Sequence, residues 1–135
     1  MKKIYFLLIS CLLIGSLAGC ASKISASSAS MSPEQVVRQY FNYWNERKAD
    51  KLEALMVSKY KGITWEFDKL EYVKLIKINE RNVTQDNEAV FDVEFEIKFK
   101  DGSGSGLTDG TYNWSYELRR DNGNSPWIIY NYGGG

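Results

Sequence analysis

Residues 91–100 read Phe-Asp-Val-Glu-Phe-Glu-Ile-Lys-Phe-Lys, and this stretch is the most informative about the fold. Its odd-numbered positions are all apolar, and its even-numbered positions are all charged. Strict alternation of this length is typical of a β-strand that buries one face and exposes the other. We therefore predict a half-buried strand whose acidic side chains, Asp92, Glu94 and Glu96, point away from the core.

Further strand patterns lie on both sides of this stretch. Leu70–Ile78 is rich in β-branched and apolar residues and precedes it, with the polar residues 79–88 as the connection. The glycine-rich segment Asp101–Gly110 follows it and is predicted to be a connector. Residues 112–119 alternate again, and a turn containing Gly and Pro leads to a last apolar run, Trp127–Tyr132. These last two segments are predicted to pair as a hairpin.

Two helices are predicted before the strands. Ser32 can cap the first helix, Pro33 suits its first position, and Gln35 completes a capping box. Asp50 is predicted to cap a second, shorter helix. One face of the first helix is apolar at helical spacing, and its members are Val36, Val37, Tyr40, Phe41 and Trp44. The order of elements predicts an α+β fold, with N-terminal helices packed on a curved, mostly antiparallel sheet of at least four strands.

Both ends of this domain resemble a known superfamily. Residues 33–46 resemble the first helix of nuclear transport factor 2-like domains, and of small Gram-positive lipoproteins assigned to that superfamily. The segment from Tyr116 to Ile129 is similar to the closing hairpin of such domains, in which a Trp after a turn begins the last strand. The resemblance covers about 100 residues and assigns residues 32–135 to one domain. It implies a fold, and it does not imply an activity.

The N-terminal segment resembles the signal of a bacterial lipoprotein. Two lysines precede the apolar run Ile4–Leu17, which ends in Leu17-Ala18-Gly19-Cys20. That run is about 14 residues long, whereas a membrane-spanning helix needs roughly 20. The resemblance implies that residues 1–19 are removed and that Cys20 carries the lipid, on the extracytoplasmic face of the cell membrane. The alternative is an ordinary secretory signal that is cut after Ala21, so that Cys20 is lost.

The chain that remains after such processing has a nearly neutral charge. Residues 20–31 contain the lipidated cysteine and a flexible tether rich in serine and alanine. Loss of Lys2 and Lys3 leaves 15 basic and 17 acidic side chains, a formal charge of −2. A surface with this balance offers no basic stripe for a phosphate backbone, so nucleic acid is not expected as a partner.

Catalysis is not predicted for this domain. The sequence contains no histidine, and both of its cysteines, Cys11 and Cys20, lie in or at the predicted signal. The commonest general base, the usual zinc ligand and a thiol nucleophile are therefore missing. We expect no catalytic residue, no metal site and no cofactor. The alternative is an acid/base enzyme, because some enzymes of the resembled superfamily use a carboxylate base in an aromatic pocket.

Aromatic residues are the main compositional excess, with 4 Trp, 9 Tyr and 6 Phe. If the sheet forms a pocket, the predicted lining is Tyr40 and Trp44 from the first helix with Tyr72 and Trp114 from the sheet. The sequence thus favours a membrane-anchored, non-catalytic module that binds a small apolar ligand or a protein of the cell envelope. A structural role through an exposed apolar face of the sheet is the third possibility.

Overall fold

The computed structural model describes residues 31–134. The predicted signal, Cys20 and the tether up to residue 30 lie outside the described residues. Two α-helices come first, followed by one 3₁₀ turn at Ser58–Tyr60 and then by six strands. The bounds are Pro33–Asn45 (α1), Ala49–Glu53 (α2), Leu70–Arg81 (β1), Glu88–Phe99 (β2), Ser103–Gly104 (β3), Leu107–Thr108 (β4), Gly110–Arg119 (β5) and Ile128–Gly134 (β6).

Helix α1 begins where the sequence predicts it. The Ser32 hydroxyl oxygen accepts a hydrogen bond from the backbone N–H of Gln35 at 3.2 Å. The Gln35 side-chain oxygen accepts one from the backbone N–H of Ser32 at 2.8 Å, so the predicted capping box is confirmed. Met31, which the sequence assigns to the tether, packs against the core immediately before this cap. No helix between residues 31 and 134 has the length and hydrophobicity to cross a membrane.

The main sheet has four antiparallel strands in the order β1-β2-β5-β6. Helix α1 packs on its inner face, and the five predicted apolar side chains of the helix are all buried. The alternation of β2 is confirmed, because the apolar residues at 91, 93, 95, 97 and 99 are buried and contribute to the same core. The α+β fold with a helix on an antiparallel sheet is therefore as predicted.

Hydrogen bonds connect the end of α1 to the beginning of β1. The Arg47 guanidinium donates hydrogen bonds to the carbonyl oxygens of Leu70 at 2.7 Å and Glu71 at 3.0 Å. The side-chain oxygen of Asn45 accepts from the backbone N–H of Val73 at 3.0 Å. These bonds fix how the helix crosses the sheet, and they lie at an irregularity of β1 between Leu70 and Tyr72.

The structure differs from the prediction in two connections. Asp50 lies inside α2 and does not cap it, because the helix begins at Ala49 and Lys48 takes the cap position without a side-chain hydrogen bond. The segment Asp101–Gly110 is also more than a connector, since β3 and β4 pair there as a small antiparallel hairpin. Two turn residues with positive φ join these strands, Ser105 at 51° and Gly106 at 77°.

Candidate ligand-binding site

A cavity of about 90 Å³ lies beside α1, the inner face of the sheet and the β3–β4 hairpin. Aromatic and aliphatic side chains dominate its walls, as they do in most binding sites for small molecules. The lining residues are Tyr40, Trp44, Ile63, Thr64, Trp65, Ser105, Leu107, Trp114 and Tyr132.

The structure brings three of the four predicted pocket residues together at this cavity. Tyr40 and Trp44 come from α1, and Trp114 comes from the inner face of β5. Tyr72 lies elsewhere, on the outer face of the sheet, where its hydroxyl donates to the Glu96 carboxylate at 2.6 Å. The cause is the irregularity of β1, which leaves Glu71 unpaired and so turns the next residue to the opposite face.

Six of the nine lining residues were missed by sequence reasoning, and two of the six, Trp65 and Tyr132, are aromatic. Trp65 belongs to the irregular segment between the 3₁₀ turn and β1, where no periodic pattern indicates which side chains are buried. Tyr132 lies near the end of β6, and its ring is 5.8 Å from that of Trp114. The high content of aromatic residues was the sequence signal for both Trp65 and Tyr132, but it does not show which rings are in contact.

The aromatic walls pack against one another with edge-to-face geometry. The Tyr40 ring centroid lies 5.8 Å from that of Trp44 and 6.3 Å from that of Trp65, with interplanar angles of 70° in both pairs. Trp44 and Trp65 are 5.8 Å apart at 63°. These are the separations that aromatic pairs favour, so the rings hold one another in position.

Three buried polar groups near this cavity have no hydrogen-bond partner among residues 31–134. They are the hydroxyls of Tyr40 and Tyr116 and the indole N–H of Trp65. Burial raises the pKa of both tyrosines well above 10.0. Tyr116 and Tyr132 raise the pKa of Tyr40 further, whereas for Tyr116 the nearby Tyr132 raises the pKa and the Tyr40 hydroxyl lowers it. Both hydroxyls therefore keep their protons at neutral pH and can donate. All three atoms are almost completely shielded from solvent, so they do not open directly onto the cavity.

Glu66 is the carboxylate that contacts the cavity lining. It accepts a hydrogen bond from the Lys69 ammonium at 2.5 Å and another from the backbone N–H of Ser105. The Lys69 hydrogen bond, followed by the one from Ser105, lowers the pKa of Glu66 below 4.5. Glu66 is therefore ionised at neutral pH, and its oxygens are already occupied by protein donors.

The acidic residues of β2 lie on the other face of the sheet, as predicted. Asp92 pairs with the Arg81 guanidinium and accepts from the Ser115 hydroxyl at 3.1 Å. The Arg81 hydrogen bond is the main reason why the pKa of Asp92 lies below its usual value. Within residues 31–134, no group of acidic side chains is placed to hold a metal ion.

The fold that surrounds this cavity is that of a nuclear transport factor 2-like domain. An NTF2-like protein from Cytophaga hutchinsonii is similar at a TM-score of 0.51 and 19% identity, over 76% of this chain and 96% of that chain. A SEC-C motif containing protein from Rhodopseudomonas palustris is similar at a TM-score of 0.50 and 15% identity, over 81% of each chain. The fold implied by the sequence resemblance is thereby confirmed.

The chain belongs to the family described as Domain of unknown function (DUF4829), whose model matches residues 34–88 and 59–133. Among proteins of curated function, none matches the chain. The family and the fold are thus assigned, and neither of them specifies an activity.

Proposed function

We propose that this protein is a lipid-anchored module on the extracytoplasmic face of the cell membrane, and that it binds a small molecule in the aromatic cavity without transforming it. The observation that carries the proposal is the cavity beside α1 and the hairpin, whose walls are mostly aromatic and aliphatic side chains. Concave, mostly apolar sites with a few polar groups are typical of small-molecule recognition.

The placement of the acidic residues supports binding rather than acid/base catalysis. A catalytic carboxylate base in an apolar pocket would have a raised pKa. Glu66, the carboxylate next to the lining, has a lowered pKa because Lys69 and Ser105 donate to it. Asp92 and Glu96 are engaged by partners on the outer face of the sheet.

The outer face of the sheet supports a cavity-based function over a purely structural one. This face carries ion pairs, among them Lys98 with Glu71 at 3.5 Å and Arg119 with Glu88 at 3.0 Å. A docking face would instead present a contiguous apolar patch. The exposed large apolar side chains among the described residues are scattered over β1, β6 and a loop, and they are Ile76, Val83 and Tyr130.

Cys20 provides the membrane anchor in this proposal. The support is the sequence resemblance at residues 17–20 together with the short apolar run before it. Two acyl chains on one cysteine hold a protein on a membrane durably, whereas a single chain gives only marginal binding. A tether of about 11 residues then keeps the domain within roughly 40 Å of the lipid surface.

A thermal-shift screen of the full chain in detergent tests the binding function. The probes are small uncharged molecules graded in size from methanol to benzene, because the cavity of about 90 Å³ is smaller than the roughly 150 Å³ that accommodates benzene. A probe at ten times its Kd should stabilise the protein by about 1.4 kcal/mol and raise Tm by on the order of 5 °C. Leu107→Trp should abolish the shift, because the larger side chain fills the cavity from the hairpin.

Ile76→Trp is the matched control, because Ile76 is 48% exposed on β1 and does not line the cavity. Ile76→Trp should show the same rise in Tm with a probe as the unchanged protein. If no probe raises Tm, or if Leu107→Trp responds as the unchanged protein does, the cavity is not a binding site.

A further inference from the structure

An open cleft of about 390 Å³ lies beside the turn between β5 and β6, and it shares no lining residue with the aromatic cavity. Its volume falls within the roughly 300–1,000 Å³ of typical small-molecule sites. Part of the lining is apolar and consists of Val57, Pro126 and Ile128. The charged part consists of Arg119, Arg120 and Asp121. We call this region the arginine cleft.

Lys59 brings a further positive charge to the arginine cleft. The backbone N–H of Val57 donates to the carbonyl oxygen of Ile129 at 3.1 Å, which attaches the 3₁₀ turn to β6. This bond places Lys59 beside Tyr130, the next residue of β6 and a lining residue of the cleft. The Lys59 ammonium lies 4.9 Å from the centre of the Tyr130 ring, and the guanidinium carbon of Arg119 lies 4.0 Å from it. Two positive charges thus share one exposed ring.

Arg120 adds a third positive charge, which is held in a fixed position. Its Nε donates to the side-chain oxygen of Asn87 at 3.1 Å. Its terminal nitrogens donate to the carbonyl oxygens of Asp86 at 3.0 Å and Gly123 at 3.3 Å. The guanidinium also stacks on the Trp127 ring, 4.5 Å from its centre. These hydrogen-bond acceptors are uncharged groups, so they orient the guanidinium without neutralising its charge.

Acidic side chains neutralise only part of this positive charge. Among residues 31–134, neither Lys59 nor Arg120 forms an ion pair. Glu88 pairs with the Nε of Arg119 at 3.0 Å, and 48% of the Arg119 side chain is still exposed. Asp121 is the acidic residue in the lining. Like charges that lie close together repel one another, so a bound anion would be stabilised here.

We propose that the arginine cleft binds a phosphate ester with a short apolar group. Lys59 and Arg119 contact the phosphate oxygens, and the apolar group lies on Val57, Pro126 and Ile128. Arginine and lysine are the usual partners of phosphate groups. Phosphate suits the cleft better than carboxylate, because it carries up to two charges and three acceptor oxygens for cations that come from different elements. A lipid headgroup and a soluble ester share this chemistry.

A matched series of small ligands tests the class. The full chain in neutral detergent is titrated with butyl phosphate and followed by NMR, and the backbone amides of residues 57–60 and 119–130 should shift. Inorganic phosphate lacks the apolar group and should bind at least about 5-fold more weakly. Pentanoate, which carries one charge, should also bind more weakly. Butanol should leave these amides unshifted, and added salt should weaken the binding of butyl phosphate.

Charge-removing variants connect this binding to the cleft. Lys59→Gln and Arg119→Gln should each weaken the binding of butyl phosphate by about 3- to 10-fold. Asp121→Asn should strengthen it, because the variant removes a negative charge from the lining. Arg38→Gln is the matched control, since Arg38 also pairs with a carboxylate, that of Glu34, and is 52% exposed, but lies outside the cleft. It should bind as the unchanged protein does, and thermal unfolding shows that each variant is folded.

Hydrogen exchange of the full chain in lipid vesicles distinguishes the two sources of the phosphate. Protection of residues 119–130 in vesicles of phosphatidylcholine with phosphatidylglycerol, but not in phosphatidylcholine alone, would assign the phosphate to a lipid headgroup. Equal exchange in both kinds of vesicle, together with binding of butyl phosphate, would assign it to a soluble ester.

Three results would overturn the proposal. Butyl phosphate might shift no amide of the cleft, or only those of the aromatic cavity. Arg119→Gln might bind it as tightly as the unchanged protein does. Equal affinities for butyl phosphate and pentanoate would overturn the choice of phosphate. None of these results affects the proposed function, which the uncharged probes of the aromatic cavity test separately.

Discussion

At the scale of single residues, the Tyr40 hydroxyl is the group that local packing explains least. Its ring is well accommodated, with edge contacts to Phe41 at 5.4 Å and Tyr116 at 5.5 Å. Phenylalanine would keep these contacts and would bury no unpaired hydroxyl. A hydroxyl that is buried without a partner lowers stability relative to phenylalanine at the same position.

The first prediction follows from the cost in stability of burying the Tyr40 hydroxyl without a partner. Tyr40→Phe should raise the free energy of unfolding by about 1 kcal/mol, because it removes a buried donor that has no partner. Urea denaturation followed by circular dichroism measures the change. Tyr72→Phe is the control with the opposite sign, because its hydroxyl donates to Glu96 and the variant loses that bond. A decrease in stability for Tyr40→Phe would show that the hydroxyl is paired in solution.

Glu66 gives a prediction about pH. Its folded pKa is lowered, so the stability it contributes is complete above about pH 4.5 and is lost as pH falls through the lower folded value. Lys69 and the backbone N–H of Ser105 are the donors that face it, and Lys69 is itself near Asp68 and Asp101. Glu66→Gln should therefore lose less stability than the unchanged protein between pH 5 and about pH 2.

Hydrogen exchange distinguishes the role of Glu66 in holding the hairpin from a general loss of stability in acid. Asp92→Asn also removes a carboxylate with a lowered pKa, but on the outer face of the sheet. Both variants should flatten the decline in stability with falling pH. Only Glu66→Gln should increase amide exchange in the β3–β4 hairpin at neutral pH, since only Glu66 accepts from Ser105. Equal hairpin exchange in the two variants would refute the role of Glu66 in holding the hairpin.

At the scale of elements, the sequence predicts those features that depend on neighbouring residues. The capping box of Ser32 and Gln35 and the alternation of β2 are local patterns, and the structure confirms both. The face of Tyr72 could not be predicted, because an unpaired Glu71 in β1 reverses it. That irregularity coincides with hydrogen bonds from Arg47, which is distant in sequence. Trp65 was missed because no periodic pattern in its segment indicates which side chains are buried.

The β3–β4 hairpin packs closely against β2 at Gly104. A Cβ added at Gly104 would lie 2.7 Å from a ring carbon of Phe99, too close without movement. Gly104→Ala should therefore destabilise the protein by about 1–3 kcal/mol, as overpacking usually does. Urea denaturation measures the loss, and hydrogen exchange should place the disturbance in the hairpin.

Gly123→Ala is the control for this substitution. No heavy atom lies within 4 Å of a Cβ at Gly123, in the turn between β5 and β6. The stability of the Gly123→Ala variant should be unchanged or slightly raised, because alanine restricts the conformations of the unfolded chain. Equal stabilities of the two alanine variants would mean that Gly104 does not pack against Phe99 in solution.

At the scale of the whole molecule, the fold and the cavity depend on the sequence in different ways. The helix on an antiparallel sheet is similar to that of an NTF2-like protein at 19% identity, so the architecture tolerates extensive change. The cavity instead depends on particular side chains, such as Trp65 and Leu107, in the less regular parts of the chain. Fold similarity therefore indicates the architecture alone, and the lining residues determine the chemistry of the cavity.

The last prediction concerns where the molecule is located. If Cys20 carries two acyl chains, Cys20→Ala should move the protein from the membrane fraction to the soluble or secreted fraction. Each buried CH₂ contributes about 0.8 kcal/mol, so no surface contact of a nearly neutral domain replaces the lipid. Cys11→Ala is the matched control, because Cys11 lies within the apolar run that the proposed processing would remove, and this variant should stay on the membrane. Intact-mass measurement of the mature protein should show the diacylglycerol on residue 20. Unmodified Cys20, or unchanged fractionation of Cys20→Ala, would refute the anchor and leave the cavity to be tested separately.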